Sequence, residues 1–183
     1  MTWQADAVFA GALTHVDRLT VIWQPRTQLP GELEAIDANR RASALLGLLG
    51  GLDELPPVDD SPQLAAHVQR LDQKLDLALE LLGRLVAREQ ALPAPVPVQL
   101  SARAVMWRAE PPPAAGSGWV ALYLLPHLPK PLELPAVLHV LDDGAVVAEF
   151  QGLEPAVSEA LERFVFRCHR RAVAQARRPG GAG

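Results

Sequence analysis

Residues 61–91, SPQLAAHVQRLDQKLDLALELLGRLVAREQA, constrain this chain more than any other stretch. Read as one α-helix at about 1.5 Å rise per residue, they reach about 45 Å. Ser61 suits the N-cap and Pro62 the first helical position. Leu64, Val68, Leu71, Leu75, Ala78, Leu82 and Leu85 recur at alternating steps of four and three, and Glu89 takes the next step. That spacing is the seam of a coiled coil over about three and a half heptads. Leu77, Leu79, Leu81 and Val86 flank the seam and widen it. One narrow seam serves two strands, whereas a wide apolar arc needs more neighbours, so the pattern predicts a bundle of several chains. Burying each large apolar side chain stabilises by roughly 1.5–3 kcal/mol, and soluble proteins rarely leave such a stripe in water. The competing arrangement is packing of the helix on its own domain, the usual fate of an amphipathic helix. The charges do not choose between the two: Glu80 and Arg84 form a favourable i,i+4 pair, but Asp72/Asp76 and Arg70/Lys74 are like-charged.

A chain of 183 residues that is 49% hydrophobic can bury one real core. No run approaches the roughly 18 consecutive apolar residues of a membrane span. Asp6 interrupts the N-terminus before any secretory signal pattern develops. The single cysteine, Cys168, excludes an internal disulfide and a cysteine-rich metal site. These features predict a cytoplasmic protein. A net charge of −4 argues against nucleic acid as the main partner.

Punctuation divides the chain. Residues 1–26 carry one strand-like run, Leu19–Trp23, closed by Pro25. Residues 27–92 read as helical. Pro30 and Gly31 open a first helix with Leu33, Ile36, Ala42, Leu45, Leu46 and Leu49 on a broad face, and Gly50-Gly51 end it. Pro56 to Asp60 form a turn into the long helix 61–91. Residues 93–176 begin with a helix-breaking Pro93 to Pro97 stretch and then switch to period two. Strand-like runs fall at Val98–Trp107, Trp119–Leu125, Ala136–Leu141 and Ala145–Phe150, with Asp142-Asp143-Gly144 as a tight hairpin signal. Such spacing predicts a small antiparallel barrel or sandwich. A helix over 155–176 follows, with Leu161, Phe164 and Val165 for packing, and a disordered tail over 177–183. The expected fold class is α+β.

The order of the strand-rich part carries a resemblance. Val105-Met106-Trp107 is followed by a Pro/Gly turn and by Trp119-Val-Ala-Leu-Tyr-Leu-Leu-Pro126. The hairpin Val137 to Phe150, ending Val-Ala-Glu-Phe, then leads to the helix Leu161-Glu-Arg-Phe-Val-Phe-Arg167. Over about residues 96–176 this resembles the PilZ domain, a bacterial six-stranded antiparallel barrel associated with cyclic di-GMP signalling. The whole is similar to the atypical, tetramer-forming PilZ group, in which a long heptad helix joins the subunits. The resemblance implies that residues 16–26 supply an early barrel strand and that 27–92 are an insertion.

Dinucleotide-binding members of the family carry an Arg-x-x-x-Arg pair before the barrel and an Asp/Asn-x-Ser-x-x-Gly element within it. Arginine forks bind phosphates and stack on bases. The second element aligns with Gln99-Leu-Ser-Ala-Arg-Ala104: Ser101 is kept, Gln99 stands for the acid or amide, and Ala104 for the glycine. Arg84 and Arg88 have the pair's spacing but lie on the long helix, where a solvated face explains them. Binding of cyclic di-GMP in the usual mode is therefore not expected. The alternative is a receptor with a nonstandard site around Gln99, Ser101 and Arg103, with Arg108 as a further cation.

The remaining chemistry-bearing residues form no set. The five histidines are scattered without metal-ligand spacing, and no cofactor or metal is expected. Cys168 lies beside His169 and several arginines, yet neighbours on a helix point apart, and a packed structural thiol explains it. Ser101 and Ser158 have no base partner and no nucleophile elbow. Arg163, Arg167, Arg170, Arg171, Arg177 and Arg178 suit a helix C-terminus and a solvated tail; the alternative is contact with an anionic partner. The apolar stripe and the lack of a catalytic set predict a non-catalytic, homo-oligomeric interaction protein with a protein partner; the resemblance implies a tetramer and a role in bacterial cyclic di-GMP-related signalling.

Overall fold

The computed structural model describes residues 8–51, 92–125 and 130–176, with isolated positions between 67 and 82. Six strands and two helices have definite bounds: β1 (His15–Pro25), α1 (Glu32–Gly51), β2 (Val96–Leu100), β3 (Ala104–Arg108), β4 (Gly116–Tyr123), β5 (Leu132–Val140), β6 (Ala145–Phe150) and α2 (Pro155–Ala176). The strands close into an antiparallel barrel in the order β1-β2-β3-β6-β5-β4. β1 is a long strand shared between two partners. Its first half pairs with β2 (His15 opposite Leu100) and its second half with β4 (Gln24 opposite Trp119).

Alternation decides which side chains fill the barrel. Leu132, Leu134, Ala136 and Leu138 of β5 point inward, as do Val120 and Leu122 of β4, and all are essentially inaccessible to solvent. They belong to one cluster that continues to Leu45, Leu46 and Leu49 of α1 and to Val157, Leu161, Phe164 and Val165 of α2. α1 packs on β5 and α2, and α2 also reaches β1. A smaller cluster seats Val8 on Ala104 and Val147, beside Phe9, Met106 and Leu141, so the segment before β1 covers part of β3 and β6.

Several sequence expectations change. The run Val98–Trp107 is two strands, because Ser101 turns the chain: its N–H donates to the Ala104 carbonyl at 2.9 Å. β5 begins at Leu132, four residues before the expected run Ala136–Leu141. Pro135 is accommodated there, and its carbonyl accepts from the Gln151 N–H at 2.8 Å. Leu33 and Ile36 do not share the buried face of α1. They are 82% and 51% exposed, and the face that packs is Ala38, Asn39, Ala42, Leu45, Leu46 and Leu49. β6 and α2 fall where the pattern placed them. The hairpin at Asp142 to Gly144 also forms: Gly144 adopts φ +80° and Asp143 Oδ1 accepts from the Ala145 N–H at 3.0 Å. The turn at 56–60 and the tail 177–183 lie outside the described residues.

Three polar side chains fix the helices and the segment leading into β2 against the barrel. Asn39, buried on α1, donates to the carbonyls of Ala35 and Gly152 at 2.9 Å each and accepts from the Glu154 N–H at 2.8 Å. Glu154 is the cap of α2, with Pro155 at the first helical position. Just before β2, the Arg18 guanidinium donates to the Pro95 carbonyl at 2.7 Å, and the Thr20 hydroxyl donates to the Pro93 carbonyl at 3.2 Å. The ring of Trp23 fills the space that a side chain at Gly118 would need.

Candidate functional site

The heptad segment can be followed at its described positions. Every described position between 67 and 82 is helical. Val68, Leu71, Leu75 and Leu82 of the seam are 37%, 62%, 58% and 55% exposed, and Ala78 is exposed as well. The flanking Leu77 and Leu81 are each 56% exposed. The stripe is therefore not spent on the barrel of its own chain at these positions. Leu64, Leu85, Leu79 and Val86 lie outside the described residues, as do Arg84 and Arg88.

The barrel element Gln99, Ser101 and Arg103 spans the end of β2 and the turn into β3. Ser101 is fully buried, and its hydroxyl is consumed locally. Oγ accepts from the backbone N–H groups of Arg103 and Ala104 at 3.1 Å each, and donates to the Ala104 carbonyl at 3.3 Å. It closes a turn that lacks glycine and proline, as serine hydroxyls commonly do. Gln99 is half-buried, opposite Val16 on β1 and Met106 on β3. The Arg103 carbonyl accepts from the Phe150 N–H at 2.8 Å, so the turn is also tied to β6, while the Arg103 side chain is exposed. Arg108 is engaged by Asp143, whose carboxylate lies 2.8 Å from its guanidinium across β3 and the β5–β6 hairpin.

A feature missed by sequence reasoning is a cleft of about 290 Å³ beside the end of β1. Gln24 and Arg26 come from β1 and the residue after it, Trp119 from β4, Glu133 from β5, and Glu34, Asp37 and Arg41 from α1. Asp37 is paired with Arg41 at 2.6 Å and also with Arg40. Burial raises the Tyr123 phenol above its ordinary 10.0, and the Glu133 carboxylate adds to the rise. Four separate segments build this cleft, so no local motif could announce it. Among the described residues no group of three His, Cys, Asp or Glu side chains could hold a metal ion, and no helix is long and apolar enough to cross a membrane.

Known proteins match this arrangement. The family described as "Atypical PilZ domain, cyclic di-GMP receptor" matches residues 49–178. A pathogenic protein from Xanthomonas campestris, described as a tetrameric PilZ domain self-assembled through a helical bundle, superposes with a TM-score of 0.69 at 30% identity. The alignment covers 92% of this chain and 94% of that one. No curated protein matches. With a closed six-stranded barrel, a terminal helix behind it and a family match that takes in most of its length, the chain belongs to the atypical PilZ domain family.

Proposed function

We propose that this protein is a non-catalytic, cytoplasmic scaffold of bacterial cyclic di-GMP-related signalling, in which the helix at 61–91 gathers four chains and the barrels present surface to a protein partner. The observation that carries this reading is the exposed stripe Val68, Leu71, Leu75 and Leu82 on a helical segment. The tetrameric, helical-bundle relative supports it. Gathering four copies of one surface raises avidity through effective concentration without any new contact. The state of the barrel element supports absence of cyclic di-GMP binding in the usual mode: Gln99 and Ala104 depart from the family motif, and the Ser101 hydroxyl is already satisfied by its own turn.

Light scattering on the intact chain and on a Leu71→Asp/Leu82→Asp variant tests the assembly. The expected result is a tetramer for the parent and a smaller species for the variant. A monomeric parent overturns the proposal, and an equally large variant moves association to another surface.

A second reading, a cyclic di-GMP receptor with a nonstandard site, draws on the family's description and on the exposed Arg103 beside Gln99. Calorimetry with cyclic di-GMP separates the two. Heat that disappears in Arg103→Ala favours the receptor, and no heat favours the scaffold.

A further inference from the structure

The outside of the barrel carries an apolar floor that the chain covers with a segment of its own. On β3, Val105 and Trp107 face the main core, so Ala104 and Met106 face out; on β6, Val146 and Ala148 face in and Val147 faces out. Ala104 and Val147 are nonetheless inaccessible to solvent, and Val8 is seated on them, with Phe9, Met106 and Leu141 beside it. His139 and Glu149 stand opposite Val147 and Ala104 in the ladders and lie 3.7 Å apart, so they edge the floor with polar groups. An apolar centre inside a polar rim is the anatomy of a protein-binding patch.

The cover is lightly held. Among the described residues no hydrogen bond joins 8–12 to the barrel. The loop bond from the Ala12 N–H to the Phe9 carbonyl, at 3.1 Å, closes the segment on itself. The ladder of β1 starts at His15, so 8–12 can leave without breaking any of it. Gly11, at φ +69° with nothing within 4 Å of where a side chain would start, suits a hinge. Leu13, packed against the main core, anchors the near end. Of the segment, Val8 is buried, Phe9 half-buried and Ala10 exposed, a small return for ordering the stretch. Segments with so few buried contacts open at little cost in free energy.

We propose that this face is a peptide groove and that residues 8–12 are its built-in competitor. A partner protein docks a short apolar turn on Ala104, Met106, Leu141 and Val147 and displaces the cover. The segment now seated there gives the chemistry of the occupant: a branched aliphatic side chain over Ala104 and Val147, with an aromatic ring next to it. The proposal rests on the scaffold reading for the source of the occupant, a protein, and adds how that partner is recognised and held off. Two side chains make a weak contact alone, and several copies of the groove on one assembly multiply it.

The test uses the full chain labelled with 4-fluorophenylalanine, which gives one fluorine resonance for each of its four phenylalanines, with Phe9 identified through Phe9→Leu. The probe is the blocked peptide of residues 5–13, Ala-Asp-Ala-Val-Phe-Ala-Gly-Ala-Leu, against a scrambled peptide of the same composition. The expected result is a saturable shift of the Phe9 resonance toward its position in a labelled free copy of the peptide. The other three resonances should stay in place as evidence of an intact fold, and the scrambled peptide should do nothing. Val8→Ala/Phe9→Ala disarms the cover and should bind fluorescein-labelled peptide about tenfold more tightly than the parent by anisotropy, because the open groove is no longer a minor state. Adding Met106→Gln, on the partly buried edge of the floor, should remove most of that gain. The proposal is overturned by a Phe9 resonance that excess peptide leaves unmoved, by equal shifts from the scrambled peptide, or by equal affinity of the parent and the Ala variant. If the intact parent displaces labelled peptide from the Ala variant, the occupant is the segment of a second copy and the partner assignment falls. None of these readouts depends on chain number or on calorimetric heat, so failure here is distinguishable from failure of the scaffold reading.

Discussion

Gly118→Ala is the single-atom addition to which the barrel should be most sensitive. A β-carbon at 118 would stand 2.6 and 2.7 Å from two ring carbons of Trp23, and closer still to the Gln24 carbonyl oxygen. Ordinary carbon contacts begin near 3.4 Å, so the surroundings must yield by close to an ångström. The ring could swing, but the carbonyl belongs to β1 in the stretch where Gln24 pairs with Trp119 and Pro25 with Gly118. Relief therefore means parting β1 from β4 at the seam of the closed sheet. Overpacking of a well-filled interior costs about 1–3 kcal/mol, occasionally more, and a backbone obstacle places this case at about 3 kcal/mol. At about 2–4 °C per kcal/mol for a chain of this size, the melting temperature should fall by about 6–12 °C. The assay is thermal unfolding followed by circular dichroism at one fixed protein concentration, since the assembly proposed above would make the midpoint concentration-dependent. Gly47→Ala is the control. It lies on the exposed side of α1 with nothing within 4 Å of the new carbon, and helix propensity predicts a gain of about 0.5–1 kcal/mol. A drop of less than about 2 °C for Gly118→Ala would refute the steric argument.

Asn39→Ala should cost about 2 kcal/mol, since two backbone groups of the β6–α2 junction lose their partners but remain within reach of water. Asn39→Asp should cost more by urea unfolding, because it sets a carboxylate against the Gly152 carbonyl. Ser101→Ala should lower stability by about 1–2 kcal/mol through loss of the turn's internal bonds, whether or not cyclic di-GMP is present. Tyr123, the single tyrosine, should ionise above 10.0 in an ultraviolet titration, and Glu133→Gln should bring it closer to that value. The folded state holds this proton more tightly than the unfolded chain, so the protonated phenol favours folding below 10.0, and stability is lost as pH rises from there through the folded value. Asp143→Asn should change stability by less than about 1 kcal/mol, with the loss shrinking in high salt, because its pairing with Arg108 is exposed.

How much of this was legible in the sequence depended on whether the signal was local. The hairpin Asp142-Asp143-Gly144 and the helix from Pro155 follow from adjacent residues, and both formed at the expected positions. The β2–β3 turn was hidden because a serine hydroxyl performs a task usually marked by glycine or proline. Leu33 and Ile36 suggested a packing face because apolar spacing reports a stripe without saying what covers it, and the structure covers the neighbouring stripe instead. Asn39 has no signature at all, since its partners at Gly152 and Glu154 lie more than a hundred positions away. The cleft beside the end of β1 needed Arg26, Glu34, Trp119 and Glu133 to be brought together by the fold. Gly118 reads as a turn glycine beside Gly116 until Trp23 is laid over it.

The placement of β1 bears on how the chain is made. The first strand of the barrel is the one whose two partners, β2 and β4, lie beyond residues 26–95. Hairpins such as β5–β6 can zip within their own neighbourhood, but β1 must wait through a long loop closure before any ladder rewards it. Until then it is an unpaired edge on a nascent polypeptide.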